Sequence, residues 1–248
     1  MAARNALALS TFLFATAAAA QTLGEGGSVV QGGAGPQGAT NASAQLEKCD
    51  APKGTIAVVE AQSQVIAALG RYGLQSPTGL IRMIIQQSNC FQVVERGVAM
   101  QNMMQERALA AGGQMQSDQN IGKGQMVAAD FIVTPSVVFS ENNAGGVGGA
   151  IGGLMGRLGG AGAVVGTLAG GLKFKEAQTS MLLADTRSGI QVAAAEGSAK
   201  QTDFALGGAL FGAGGGAALG GYTNTNEGKV ITASFLDNWN NIVRSIRN

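Results

Sequence analysis

Histidine is absent from this chain of 248 residues, and cysteine occurs only twice. Without an imidazole the commonest base for activating a Ser, Thr or Cys nucleophile is missing. Two cysteines without histidine also make a poor zinc site. Charge is scarce as well: 16 Lys and Arg stand against 15 Asp and Glu, for a net +1. No basic patch is left over to hold nucleic acid. Nothing carries the Lys-Ser/Thr of a phosphate-cradling loop, and no glycine run keeps the dinucleotide spacing. The pairs Glu95-Arg96 and Glu106-Arg107 read as helix-boundary and surface ion pairs worth up to about 1 kcal/mol each, not as acid–base catalysts. The reading is therefore of a protein that is not an enzyme, with no cofactor, no metal and no nucleic acid.

Glycine is what the chain has in excess, at 40 of 248 residues, against a usual share of about 7 %. The excess concentrates in residues 144–172 and 204–221. Val147, Ile151, Leu154 and Leu158 recur at helix spacing. Gly148, Gly152, Gly156 and Gly160 stand four apart around them, and Gly208, Gly212, Gly216 and Gly220 repeat the pattern. Each glycine inside a helix costs about 1 kcal/mol in water relative to alanine, whereas in lipid the small-xxx-small pattern lets backbones approach closely. Linkers of similar composition usually carry Ser, Thr and charge. These stretches carry Leu, Ile, Val, Met and Phe, with Arg157 the only charge in the first. Membrane-type or tightly packed segments are the favoured reading and a disordered tract the alternative.

The first 20 residues read as a secretory signal: Arg4, an apolar run over 6–17, and Ala18-Ala19-Ala20 as a small-residue cleavage site. The polar Gly/Gln/Ser-rich residues 21–48 read as a disordered arm, which leaves 49–248 as the folded domain. Cys49 lies just before the apolar run 54–60, and Cys90 opens the run 91–94. If these runs are neighbouring parallel strands, both cysteines sit at one end of a sheet, where a disulfide is geometrically possible. Two buried thiols are the alternative.

Along the domain, 54–60 predicts a strand. Residues 61–74 are ambiguous, with Val65, Ile66, Leu69 and Tyr72 able to line a short helix ended by Gly73. Ser76-Pro77-Thr78 is a helix start for an apolar face of Leu80, Ile81, Ile84 and Ile85. A strand over 90–96 follows. A helix over 98–111 comes next, with Met100, Met103, Met104 and Leu109 inward as core filler, and Gly112-Gly113 ends it. Pro135 in the strand 130–140 argues for an edge or a bend. Residues 176–184 and 190–200 form a hairpin about Asp185-Thr186-Arg187-Ser188-Gly189. Residues 230–247 form an amphipathic helix anchored by Trp239. The fold class is α+β, a mixed sheet flanked by helices and interrupted by the two glycine-rich stretches.

Three segments resemble the curli-secretion channel family, the CsgG-like or CsgG/HfaB proteins. Phe91-Gln92-Val93-Val94-Glu95-Arg96, followed by Met100, Met103-Met104 and Glu106-Arg107, is similar to the family's strand–"ER"–helix segment. Ala129-Asp130-Phe131-Ile132-Val133-Thr134 resembles its A-D/N-hydrophobic strand, and Leu182 to Ile190 its hairpin. The closing helix matches in place and pattern. The resemblance implies an outer-membrane protein with a periplasmic α/β domain. Two segments of each subunit would join those of its neighbours in a homo-oligomeric ring, passing or anchoring a secreted fibre subunit or adhesin without any nucleotide. Those two segments fall at the glycine-rich stretches. Gln21 stands where the founders carry a lipidated cysteine, and 61–78 offers one aromatic, Tyr72, in place of an aromatic constriction loop. The runner-up is a soluble periplasmic interaction module of the same fold, without a pore.

Overall fold

The β-branched run after Gly54 becomes a fully buried strand of the main sheet. The computed structural model describes residues 30, 32–35, 38–116, 118–119, 121–139, 176–200, 222 and 225–247. A small hairpin, β1 (Gly33–Gly35) and β2 (Gly38–Thr40), precedes β3 (Thr55–Val58), all four residues of which are buried. Helices α1 (Ser63–Gly70) and α2 (Thr78–Ser88) follow, then β4 (Gln92–Val93), α3 (Val98–Ala111) and β5 (Phe131–Phe139). The hairpin of β6 (Glu176–Asp185) and β7 (Gln191–Lys200) leads to α4 (Asn226–Arg247). Among the described residues the main sheet has five strands in the order β4-β3-β5-β6-β7. β3 runs parallel to β4 and β5, and the other two pairings are antiparallel. The expected mixed α+β sheet is what forms.

Alternation decides which side of the sheet is buried. Ala177, Thr179, Met181 and Leu183 of β6 point to the core, as do Ala193, Gly197 and Ala199 of β7. Against them α4 lays Val230, Ile231, Phe235, Trp239, Ile242 and Val243, and α2 buries Leu80, Ile81, Ile84 and Ile85 over β3 and β4. Trp239 meets Phe91 edge-on at 5.9 Å, and Phe91 meets Phe131 at 5.3 Å, so aromatic edges tie α4 to the β4 and β5 side. At Gly197 a Cβ would overlap the Ser234 carbonyl and the Asn238 amide, and only glycine lets α4 lie this close to β7. Thr179, Ser234 and Asn238, all buried, hydrogen-bond to one another there, while Asn238 Oδ1 has no partner among the described residues. Ser234 donates to the Gly197 carbonyl at 2.9 Å, and Asn238 Nδ2 donates to Thr179 Oγ1 at 3.2 Å.

Several expectations hold with short displacements. Gly73 (φ 70°) and Gly113 (φ 71°) adopt left-handed backbone just after α1 and α3, and Gly189 (φ 70°) does so in the hairpin turn. The register of β5 with β3 runs through Val133, so Pro135 lies beyond that ladder, with no strand partner on that side among the described residues.

Two expectations need correction. The described part of the 21–48 arm is packed, not disordered. Val30 and Leu46 are buried in the core, and the small hairpin lies against α2. Asn240 donates to the Gln45 carbonyl and accepts the Glu47 N–H, both at 2.8 Å, and the Glu47 carboxylate pairs with Arg244 and Arg247. Polar composition hid an arm held by two buried apolar side chains together with hydrogen bonds and ion pairs. The second correction concerns α3, none of whose residues is buried. Met103 and Met104 are exposed, so the methionines are not core filler.

Candidate functional site

Both glycine-rich stretches leave the described fold from one end of the sheet. Antiparallel pairing brings Phe139, the last residue of β5, opposite Ala177 near the start of β6. It also brings Glu176 opposite Lys200, the last residue of β7. Residues 140–175 therefore connect two adjacent strand ends, and residues after 200 depart beside them. A salt bridge between Lys200 and Glu176 (3.8 Å) marks the spot. The start of α4 belongs to this end as well, because its other terminus is fixed far away: Lys53 Nζ donates to the Ile246 carbonyl at 3.1 Å. At the insert end Tyr222 donates its hydroxyl to the Gln75 carbonyl at 2.7 Å, and burial pushes its phenol well above the ordinary range. Glu60 accepts a hydrogen bond from Ser76 nearby in sequence.

The opposite end is a closed structural cap. Cys49 and Cys90 are joined in a disulfide there, at the entries to the parallel pair β3 and β4. Thr55 N–H donates to Asp130 Oδ2 at 3.1 Å, and Asp130 N–H donates to Thr55 Oγ1 at 2.9 Å. The Thr55 hydrogen bonds, and then the Arg187 guanidinium (3.1 Å), hold the Asp130 carboxyl below its usual range. Asp185 is lowered mainly by the backbone N–H and hydroxyl of Ser188, which it accepts across the turn. Glu47 is lowered by its hydrogen bonds from Arg247 and Arg244. These carboxylates are charged partners of turns and clamps, and no vacant acid–base pair is formed among them.

The sequence pairs Glu95-Arg96 and Glu106-Arg107 do not bridge internally. Glu95 instead takes Arg82 at 2.8 Å and accepts the Gly97 N–H at the start of α3. Arg96 donates to the Val127 carbonyl and Arg107 to the Gly122 carbonyl. They thus fasten α3 to the loop that follows it. Between that helix and loop lies a shallow groove lined by Met104, Arg107, Ile121, Lys123 and Met126. A second apolar surface, Leu182, Ile190 and Val192, lies exposed on the hairpin.

Gly148, Gly152, Gly156, Gly160, Gly208, Gly212, Gly216 and Gly220 lie outside the described residues. No described helix is long and apolar enough to cross a membrane, and among the described residues no cluster has the makings of a metal site. Sequence reasoning missed Gly197, whose place opposite a Ser and an Asn of α4 has no local signature. It also missed the clamp of Asn240 and Glu47, for which the last-turn arginines Arg244 and Arg247 were the only hint.

The family model described as "Curli production assembly/transport component CsgG" matches residues 37–247, a span that takes in part of the packed arm, both glycine-rich stretches and all of α4. No curated protein matches the chain.

Proposed function

This chain belongs to the CsgG family of curli production assembly/transport components, and from that membership we propose that it is a ring-forming component of the outer membrane. In this reading the α+β domain stands on the periplasmic side after removal of a signal peptide over residues 1–20. The stretches 144–172 and 204–221 meet the lipid, alongside those of neighbouring copies. A fibre subunit or adhesin is exported through the ring or anchored on it. The family is one of transport and assembly, not of catalysis, and the chain's lack of histidine accords with that.

The observation that carries the reading is the common origin of the two stretches. Inserts leaving from one end of a sheet reach a single membrane plane together, with the domain hanging on one side. The disulfide accords with an oxidising compartment.

The test is the mass and shape of the protein extracted from membranes in detergent, by light scattering and negative-stain imaging. Rings with a central hole are expected, pelleting with outer membrane and resisting carbonate extraction. A monodisperse monomer that leaves with the periplasmic wash and needs no detergent overturns the channel, and leaves a soluble interaction module of the same fold.

A further inference from the structure

Helix α3 is the anomaly of the described fold. It is 14 residues long with no residue buried, and isolated helices of this length are marginal in water. Together with the following loop it exposes Val98, Met103, Met104, Ile121, Met126 and Val127. The other exposed large side chains include Leu182, Ile190 and Val192, on the outer side of the β6–β7 hairpin. The two surfaces lie at opposite edges of the sheet. α3 follows directly from edge strand β4, whereas the hairpin ends in edge strand β7. Four strand spacings separate these edges, about 19 Å.

We propose that α3 with its loop docks on the outer face of the β6–β7 hairpin of a second copy of this chain, as the head-to-tail contact of the domain. A heterologous contact between two different patches closes into a ring when its rotation allows. The charges are complementary. Apart from the Glu176–Lys200 pair at the insert end, the hairpin's outer face carries one charge, Glu196, exposed and in no ion pair among the described residues. The groove of α3 presents Lys123 and Arg107 beside its methionines. Methionine is the side chain that adapts best to a facing surface. The edge of β7 is not open for strand addition along its whole length, because Asp237 accepts the Ser198 N–H and Asn241 donates to the Glu196 carbonyl. Contact through the face, not the edge, is therefore what β7 offers near Glu196. This inference rests on the ring reading above and names its contact.

The experiment places a photo-reactive benzoylphenylalanine at position 104 of the full-length chain, irradiates the detergent-extracted assembly, and maps the adduct by mass spectrometry. The expected product is a covalent dimer joined to the tryptic peptides spanning 176–187 or 188–200. A charge-swap series accompanies it. Lys123→Glu and Glu196→Lys should each weaken self-association about fivefold, and the double variant should recover it. All these positions are exposed, so unchanged thermal midpoints are expected. Intact oligomers whose adducts map elsewhere, or within the same chain, overturn this contact and leave the ring. A particle that is monomeric even before substitution overturns the ring as well.

Discussion

Gly197 shows how a single missing methyl group sets the distance between two elements. Its neighbours on α4 are the Ser234 carbonyl and the Asn238 amide, both backbone and unable to yield independently. Gly197→Ala should therefore push α4 off the sheet, and overpacking of this kind costs about 2 kcal/mol. The check is a urea titration, with the midpoint falling and the slope unchanged; an unshifted midpoint would show that α4 has room to spare. Glu47 gives the pH dependence of the arm. Its carboxyl is held below the ordinary value of 4.5 by Arg247 and Arg244, so the folded state binds the proton less readily than the unfolded chain. The stabilisation is complete above about pH 4.5 and disappears as pH falls through the lowered folded value. Glu47→Gln should reduce the thermal midpoint at neutral pH, and the variant and parent curves should converge in acid. Parallel curves at every pH would mean that the ion pairs contribute nothing.

At the scale of elements, cross-links and helix faces divide into those that hold the domain and those that do not. The Cys49–Cys90 bond joins residues 41 apart in sequence, and closing a loop of that size stabilises by about 4 kcal/mol in the chain-entropy model. Replacing both cysteines by alanine should lower the thermal midpoint by a margin that reductant reproduces in the parent protein. For the helices, Ile84→Ala in α2 should cost about 2–5 kcal/mol, because Ile84 is buried. Met103→Ser in α3 should stay within about 0.5 kcal/mol, since the side chain is exposed. Equal losses in a chemical denaturation series would mean that α3 packs on its own domain after all. The contrast also shows where the sequence was readable. The β-branched run of β3, the Ser-Pro-Thr start of α2, the hairpin turn and the apolar stripe of α4 each carry a local signal that the fold then uses. The methionines of α3 stand three and four apart as well, but the helix as a whole has no marked apolar face, and spacing alone does not say what covers a side chain. Composition misled for the arm in the same way, because the side chains that hold it, Asn240, Arg244 and Arg247, lie almost two hundred residues away.

At the scale of the whole molecule the fold is polarised, with the disulfide and the Asp130–Thr55 pair at one end of the sheet and both glycine-rich insertions at the other. Such an arrangement separates what holds the domain from the segments that the proposed ring would place in lipid. The disulfide, α2, α4 and the five strands form a core that does not depend on the insertions, since the first joins strand ends that are already neighbours in the antiparallel ladder and the second joins β7 to the helix that packs on it. Changes inside the insertions should then alter assembly without unfolding the domain. Gly152 and Gly156 stand four apart, where close backbone approach in lipid requires small side chains. Leucine at both would improve helix propensity by up to about 2 kcal/mol in an isolated helix and add apolar area, so a merely lipid-soluble anchor would tolerate or welcome the change. A packed contact between segments would not. Arg157 sharpens the distinction under the proposed membrane reading, because a lone charge at the bilayer centre would cost at least about 3 kcal/mol and would have to face a lumen, another subunit or the headgroups. The double variant Gly152→Leu/Gly156→Leu should therefore lose the oligomer on a native gel while keeping the circular dichroism and thermal midpoint of the domain. An oligomer of unchanged size would show that these glycines do not bring segments together, and would reduce the first insertion to an anchor or a loop.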